Sequence, residues 1–218
     1  VWSPDGRQIA FAQDRGAAPY LHVKNLNDTE SGEPVAEPSG WVQLPWDWVQ
    51  TPEGQFIIYQ GGSPETGNDL MILPLSGERK VRPFLRTQFN ETDARFSPDG
   101  RWVAYVSNES GRNEVYVRPF QGSGEKWQIS TAGGLSPRWQ RDGKELFYLA
   151  AGGRLMAVGV KAGSNFGAET PTPLFQIDSP RSEYEVAADG QRFLVNTGGG
   201  TTNLPVTVAV NWTADLRR

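Results

Sequence analysis

Short apolar stretches alternate with polar, turn-rich stretches along most of the chain. Five of the apolar stretches combine β-branched, aromatic and long aliphatic residues, at positions 9–11, 56–59, 102–105, 146–149 and 193–195. Runs of three or four such residues bounded by turns predict strands that are buried on both faces. The pattern therefore predicts an all-β chain with five interior strands.

An acidic residue followed by glycine precedes each of these strands. The five pairs are Asp5-Gly6, Glu53-Gly54, Asp99-Gly100, Asp142-Gly143 and Asp189-Gly190, at intervals of 48, 46, 43 and 47 residues. Such a pair between two apolar runs predicts a tight hairpin, because glycine adopts a positive φ without steric cost. We therefore predict one hairpin tip in each of five repeats.

Other strands recur at fixed places around the tips. The first strand carries Trp2, Phe96, Trp139 or Val186 three positions before the acid. In the second repeat Gln50 stands there, and a two-residue shift, which keeps the sheet face, makes Trp48 the core residue instead. Third strands are predicted at 20–26, 69–75, 114–120, 154–160 and 205–212, and fourth strands at 41–44, 81–86, 127–131 and 173–177.

Four strands repeated about five times are typical of a β-propeller. A β-sandwich has no reason for so long a period, and a β-helix would have a much shorter one. We predict a single β-propeller domain, 1–218, with repeats at about 1–44, 45–88, 89–131, 132–177 and 178–218. The first and last blades are incomplete, which indicates a fragment that forms an open arc or closes as a small ring.

Segment 96–105, with its tip Asp99-Gly100 and the apolar run that follows, resembles the WD-like repeat of the TolB family. The stretches 89–92, 107–112, 114–120, 143–148 and 211–216 also resemble the C-terminal propeller of bacterial eukaryotic-type serine/threonine protein kinases. In such kinases the propeller lies outside the cytoplasm, so the resemblance implies a sensing or protein-binding role in the periplasm or another extracytoplasmic space. The kinase motifs themselves are not found in this sequence.

Composition and charge exclude several functions. The net charge of −4, without a clustered excess of Lys and Arg, argues against a nucleic-acid partner. Without cysteine there is no disulfide, thiolate metal site or cysteine nucleophile. No apolar run is long enough to span a membrane. Because Val1 already lies inside a repeat, we expect any export signal or anchor of a parent protein to lie upstream.

Candidate catalytic chemistry is sparse. The single histidine, His22, lies in a third strand and is expected to face solvent, and no Gly-x-Ser-x-Gly sequence accompanies it. The adjacent acid and glycine of the tips differ from the spaced Asp-box of sialidases. Calcium would need six to eight oxygen ligands in one place, so the tip acids, one per blade, are interpreted as turn-forming. We predict no catalytic, cofactor-binding or metal-binding residues.

Three tryptophans, Trp41, Trp46 and Trp48, cluster at the junction of the first two repeats. They could form a partner-binding patch, since tryptophan is enriched at interface hot spots, or they could belong to the core between blades. We predict a non-catalytic propeller that binds a protein or small ligand at a loop-bearing end, as a sensor or interaction module of a larger TolB-like or receptor kinase-type protein. The alternatives are the gating propeller of a prolyl-oligopeptidase-like hydrolase, a complete small lyase or glycosidase, and a free-standing periplasmic TolB-like protein.

Overall fold

The computed structural model describes residues 1–14, 18–29, 31–122, 124–162, 165–177 and 183–196, and the backbone of one further strand, Thr207–Val210. In these residues the chain forms antiparallel β-sheets and no helix, so none that could cross a membrane. Five sheets follow one another along the chain. We call them blades 1 to 5.

Strands are numbered in chain order, and each blade takes a consecutive set. Blade 1 contains β1 (Gln8–Gln13), β2 (Tyr20–Asn25) and β3 (Glu33–Pro34). Blade 2 contains β4 (Leu44–Thr51), β5 (Gly54–Ser63), β6 (Gly67–Pro74) and β7 (Arg82–Leu85). Blade 3 contains β8 (Glu91–Phe96), β9 (Trp102–Ser107), β10 (Glu114–Pro119) and β11 (Trp127–Gln128). Blade 4 contains β12 (Gly134–Trp139), β13 (Glu145–Ala150), β14 (Arg154–Ala162), β15 (Phe166–Ala168) and β16 (Thr172–Gln176). Blade 5 contains β17 (Glu183–Val186), β18 (Arg192–Asn196) and β19 (Thr207–Val210).

Strand pairing within the blades is that of a propeller. In blades 2 and 3 four strands pair in chain order, and in blade 4 the long β14 pairs with β15 at one end and β16 at the other. In the described residues blade 1 has three strands and a single bridge between Trp2 and Ile9, and blade 5 has three strands. The predicted architecture, about five four-stranded blades with the first and last incomplete, is confirmed.

The hairpin tips are built as predicted. The tip glycines have positive φ, for example 69° at Gly100 and 73° at Gly143. In blade 3 the Ser97 hydroxyl donates to Asp99 Oδ1 at 2.5 Å, and the same oxygen accepts the Arg101 backbone N–H at 3.1 Å. The acids of blades 1, 4 and 5 also accept the backbone N–H two residues later. These carboxylates shape turns, which is the role the sequence indicated for them.

The second strand of each central blade is buried on both faces. Every residue of β9 is buried, as are the four residues 56–59 of β5. Side chains of β9 alternate: Val103 and Tyr105 pack toward blade 2, while Trp102 and Ala104 pack toward blade 4. Successive strand residues point to opposite faces, so each central blade contributes to two apolar interfaces.

Trp48 occupies the core position that the two-residue shift predicts. It is 5% exposed and packs with Ala10 and Leu21 of blade 1, whereas Gln50 is exposed. Phe96 likewise packs toward the preceding blade. The shift is confirmed, because displacement by two residues leaves the side chain on the same face of the sheet.

Trp2 is predicted at the equivalent position of blade 1, yet it is 61% exposed. Its counterparts are buried (Trp48 and Phe96) or partly buried (Trp139 and Val186) against a preceding blade, and no such sheet is present among the described residues. The same asymmetry affects β18, where Phe193 and Val195 are buried against blade 4 while Leu194 is exposed. The core interpretation of Trp2 is therefore wrong for the described residues, which cover only one side of the terminal blades.

The predicted fourth strand at 41–44 is also wrong. The outer strand of blade 1 is β3, where Glu33 and Pro34 pair with Val23 and His22, and Leu44 instead begins β4. Gly32, directly before β3, has a φ of 86°, and this left-handed conformation lets the chain turn back along β2 at this point. Of the predicted strand 205–212 only 207–210 is described, and the stretch 211–216 lies outside the described residues.

Replacement of Trp48 by alanine should lower the free energy of unfolding by about 3–5 kcal/mol, because it removes a large side chain from the interface between blades 1 and 2. Trp2→Ala removes the same atoms from an exposed position and should change the free energy of unfolding by less than about 0.5 kcal/mol. Urea unfolding followed by tryptophan fluorescence measures both. Equal effects of the two substitutions would contradict the assignment of Trp48 to the core.

Candidate functional site

The first strands of blades 2 to 5, here called the inner strands, lie side by side across the blade boundaries. Each carries one charged residue immediately before its core residue. These charged residues are Asp47, Arg95, Arg138 and Glu185. The sequence holds this regularity, but strand alternation alone does not say which neighbouring blade each side chain reaches.

Three inner strands are bulged just before or at these charged residues. The pairing register shifts between Pro45 and Asp47 in β4, between Thr92 and Arg95 in β8, and between Leu135 and Arg138 in β12. Two bulge residues that are not glycine, Asp93 and Ser136, have φ of 50° and 53°. Bulges change the direction of side chains, and positive φ at such residues is uncommon outside constrained sites.

Blades 2 and 3 are joined through Asp47 and Arg95. The Asp47 carboxylate accepts the backbone N–H of Phe96 at 2.8 Å and that of Trp48 at 2.9 Å. In the other direction, Arg95 Nη1 donates to the carbonyl oxygen of Trp46. Each blade therefore supplies a charged side chain to the backbone of the other.

Arg138 joins blades 3, 4 and 5. Its guanidinium lies 3.4 Å from the Asp93 carboxylate and 3.2 Å from that of Glu185, and it lies over the Tyr184 ring at 5.8 Å. The Tyr184 hydroxyl donates to the Ser136 carbonyl oxygen at 2.8 Å. We call Asp47, Asp93, Arg95, Arg138 and Glu185 the inner-strand network.

Charges in this network are partly removed from water. Burial raises the pKa of Asp47, and Arg95 opposes this only in part. Burial and the like charge of Arg138 lower the pKa of Arg95. Although burial works against its charged form, Asp93 and Glu185 raise the pKa of Arg138. The N–H groups Trp46 Nε1 and Arg95 Nε are buried and have no acceptor in the part of the chain that is described.

Exposed apolar side chains lie where the inner strands begin, at the end of the blades opposite the hairpin tips. They are Val42, Leu44 and Leu135, and Leu135 is 47% exposed. Exposed apolar side chains combined with charged groups are typical of a surface that binds a protein. We call this surface the strand-start end.

The structure places the three tryptophans in different surroundings. Trp48 is buried between blades 1 and 2, and Trp46 packs partly buried against the core between blades 2 and 3. Trp41 is half-buried and its indole N–H donates to Asn68 Oδ1 at 3.3 Å. Burial leaves Trp48 unavailable to a partner, and a binding role for Trp41 and Trp46 stays a prediction.

His22 does not face solvent, which corrects the sequence-based expectation. It is fully buried, with its ring 4.5 Å from that of Tyr20 and 5.9 Å from that of Phe11, and its Nδ1 lies 3.0 Å from the Tyr20 carbonyl oxygen. Aromatic neighbours on its own and the adjacent strand cover it. Within the described ranges no three His, Asp or Glu side chains are grouped so as to bind a metal ion.

Buried carboxylates form a second polar cluster near the strand-start end. Asp69 accepts from Arg86 Nε at 3.0 Å and from Thr66 Oγ1 at 2.8 Å, and Glu91 accepts from Thr87 Oγ1 at 2.5 Å. Burial raises the pKa of Glu91 to about 7; the Thr87 hydrogen bond opposes the shift, and the charge of Asp69 adds to it. Glu91 therefore titrates near neutral pH.

Comparison with protein families and their members gives a consistent result. The model of the family described as the TolB beta propeller domain matches residues 1–183. The Tol-Pal system protein TolB of Bordetella pertussis is 26% identical over 121 residues, which cover 56% of this chain and 26% of that protein. Proteins of the same name from Bordetella parapertussis and Bordetella bronchiseptica give the same values. The matched part of the chain thus spans about a quarter of the length of these relatives.

Solved structures share the fold at low sequence identity. TolB from Acinetobacter baumannii superposes with a TM-score of 0.71 at 20% identity, covering 96% of this chain and 50% of that one. A puromycin-hydrolyzing peptidase of Mycobacterium tuberculosis gives a TM-score of 0.60 at 20% identity, covering 93% of this chain and 36% of that one. Likeness at these identities concerns the fold, which proteins of different activities share.

Glu91→Gln should remove a pH dependence of stability. In the unfolded chain this carboxyl has its ordinary pKa of 4.5, and in the folded chain a pKa of about 7. Between these values folding takes up a proton, so the stability of the wild type falls as the pH rises through this window and then levels off. At about pH 8 the variant should be more stable than the wild type by about 2–3 kcal/mol, and below about pH 4 the difference should vanish.

Urea unfolding at a series of pH values measures this difference. Glu78→Gln, at an exposed position between β6 and β7, is the control and should follow the wild-type profile. A Glu91→Gln profile parallel to that of the wild type would show that Glu91 does not titrate in this window.

Proposed function

Because the chain belongs to the family of TolB β-propeller domains, we propose that it is a binding module without catalysis of its own, and that it takes a protein partner at the strand-start end. One observation carries the location: Val42, Leu44 and Leu135 expose apolar side chains three to five residues before Asp47 or Arg138 of the inner-strand network. Protein interfaces combine apolar anchors with polar groups in this way.

Chemistry of the network supports binding rather than turnover. Its carboxylates and guanidiniums are engaged with one another or with backbone groups, and the only histidine is enclosed by aromatic rings. Glu185, whose side chain is 66% exposed, can accept hydrogen bonds from a polar segment of the partner. The partner we propose is therefore a protein with an apolar contact and an exposed polar segment.

The wider context of the chain is also part of the proposal. We propose that it forms the sensor or interaction module of a larger TolB-like or receptor kinase-type protein outside the cytoplasm. Its relatives carry the name of the Tol-Pal system, and the stretches that resemble kinase C-terminal propellers support the second type of parent. A second candidate, the gating propeller of a hydrolase, has in its favour the shared fold of the Mycobacterium tuberculosis peptidase.

Leu135→Glu should weaken partner capture at least about tenfold, because a charge at an apolar contact cannot be buried without a large desolvation cost. The immobilised chain is incubated with protein extract from cells that encode it, and the captured protein is quantified by mass spectrometry. We expect one protein of full length to be retained by the wild type.

Leu26→Glu is the matched control, because Leu26 is also 47% exposed but lies at the hairpin-tip end of blade 1. It should capture the same amount of partner as the wild type. Two outcomes would exclude the strand-start end as the site: the Leu135→Glu variant captures as much partner as the wild type, or both variants fail to capture it.

The cellular compartment of the full protein is tested in the cells that encode it. We expect antibodies raised against the chain to detect it in the extracytoplasmic fraction and to be accessible to added protease after the outer layers are permeabilised. Recovery with a cytosolic marker, protected from protease until the cells are lysed, would contradict an extracytoplasmic role.

A further inference from the structure

Two arginines line one cavity of about 370 Å³ at the boundary between blades 2 and 3. Arg82 begins β7, the outer strand of blade 2, and Arg118 lies in β10 of blade 3. The lining, which is drawn from the described residues, contains no Asp or Glu. Its other members are Phe84, Pro119, Phe120, Gln121 and Gly122.

Each arginine lies against a phenylalanine from the other blade. The Arg82 guanidinium carbon is 6.0 Å from the centroid of the Phe120 ring, and that of Arg118 is 5.3 Å from the Phe84 ring. The two rings are neighbours, with centroids 6.3 Å apart. Stacking on a ring face holds a guanidinium in place while its N–H edge stays available to a ligand.

Neither arginine has a carboxylate partner in the described part of the chain, whereas Arg86, Arg112 and Arg138 all do. Arg118 Nε is buried, and no acceptor is found for it among the described residues. A buried N–H group without an acceptor is unfavourable, and a charged one more so. The described residues therefore leave the charge of Arg118 without a neutralising carboxylate, which an anion in the cavity would supply.

Backbone structure fixes the position of Arg118. The next residue, Pro119, has a restricted φ, and the Phe120 backbone N–H donates to the Arg101 carbonyl oxygen at 2.8 Å. Phe120 itself is buried in the core between blades 2 and 3. The segment 114–120 resembles kinase C-terminal propellers, and partner binding at the strand-start end does not account for its arginine.

We propose that this cavity binds the phosphate group of a small soluble ligand. Guanidinium groups bind phosphate through paired hydrogen bonds. Because the two arginines belong to strands of different blades, they can approach a tetrahedral dianion from two directions, which a planar carboxylate does not match as well. The volume is in the range of small-molecule sites and leaves room for the group attached to the phosphate.

The test is titration of the chain with phenyl phosphate and with inorganic phosphate, followed by calorimetry and by two-dimensional NMR. We expect saturable binding of one phosphate per chain. Arg82→Gln and Arg118→Gln should each weaken it by about tenfold or more, since each removes one charged hydrogen-bonding group. Arg82→Lys and Arg118→Lys should weaken it less, because they keep the charge and lose only the paired geometry.

Arg79→Gln is the matched control. Arg79 is exposed, lies three residues before Arg82 and does not line this cavity, so its loss changes the net charge equally and should leave the affinity within about twofold. No saturable binding by the wild type, an equal loss in Arg79→Gln, or acetate binding as tight as phosphate binding would each overturn the proposal.

The phosphate group could belong to a small soluble ligand or to a lipid headgroup, and binding to vesicles distinguishes these two sources. Binding of soluble phenyl phosphate supports a small ligand. Retention only by vesicles that contain phosphatidic acid, and not by phosphatidylcholine vesicles or soluble phosphate, would assign the group to a lipid headgroup and overturn the small-ligand source. Thermal melts of the variants show whether each remains folded, and the wild-type titration decides the proposal even if one does not.

Discussion

The burial of apolar side chains between neighbouring blades is the constraint on which the rest of this structure depends. In the described residues, four separate clusters join blade 1 to 2, 2 to 3, 3 to 4 and 4 to 5, and each draws residues from both sheets. A strand such as β9, buried along its whole length, is stable only between two other sheets. Trp2 and Leu194, at the two outer faces, show what the same positions look like without a covering neighbour.

Stacking of the blades also brings the inner strands together, and their charges must then find partners. The bulges in β4, β8 and β12 direct Asp47, Asp93, Arg95 and Arg138 across the blade boundaries, where they meet opposite charges or backbone groups. Paired in this way, the charges tolerate partial burial. Exposed apolar residues lie at the starts of two of these strands, and this combination underlies the binding role that we propose for the strand-start end.

Blade boundaries produce two surfaces of different chemistry. The strand-start end offers apolar side chains, three carboxylates and two guanidiniums, which suits a protein partner. The rim between blades 2 and 3 offers two arginines on phenylalanine rings and no acid in its described lining, which suits a phosphate group. The two surfaces that we propose share no residues, so occupation of one does not block the other.

Local patterns in the sequence determined the tips, the interior strands and the placement of Trp48. These features depend on glycine at positive φ and on alternation along one strand, and both are properties of a few consecutive residues. The burial of His22, the exposure of Trp2, the early outer strand β3 and the contacts of the inner-strand network were decided by tertiary structure. Each of these depends on which distant segment packs against the residue. Alternation along a strand determines the sheet face on which a side chain lies, but not which segment covers that face.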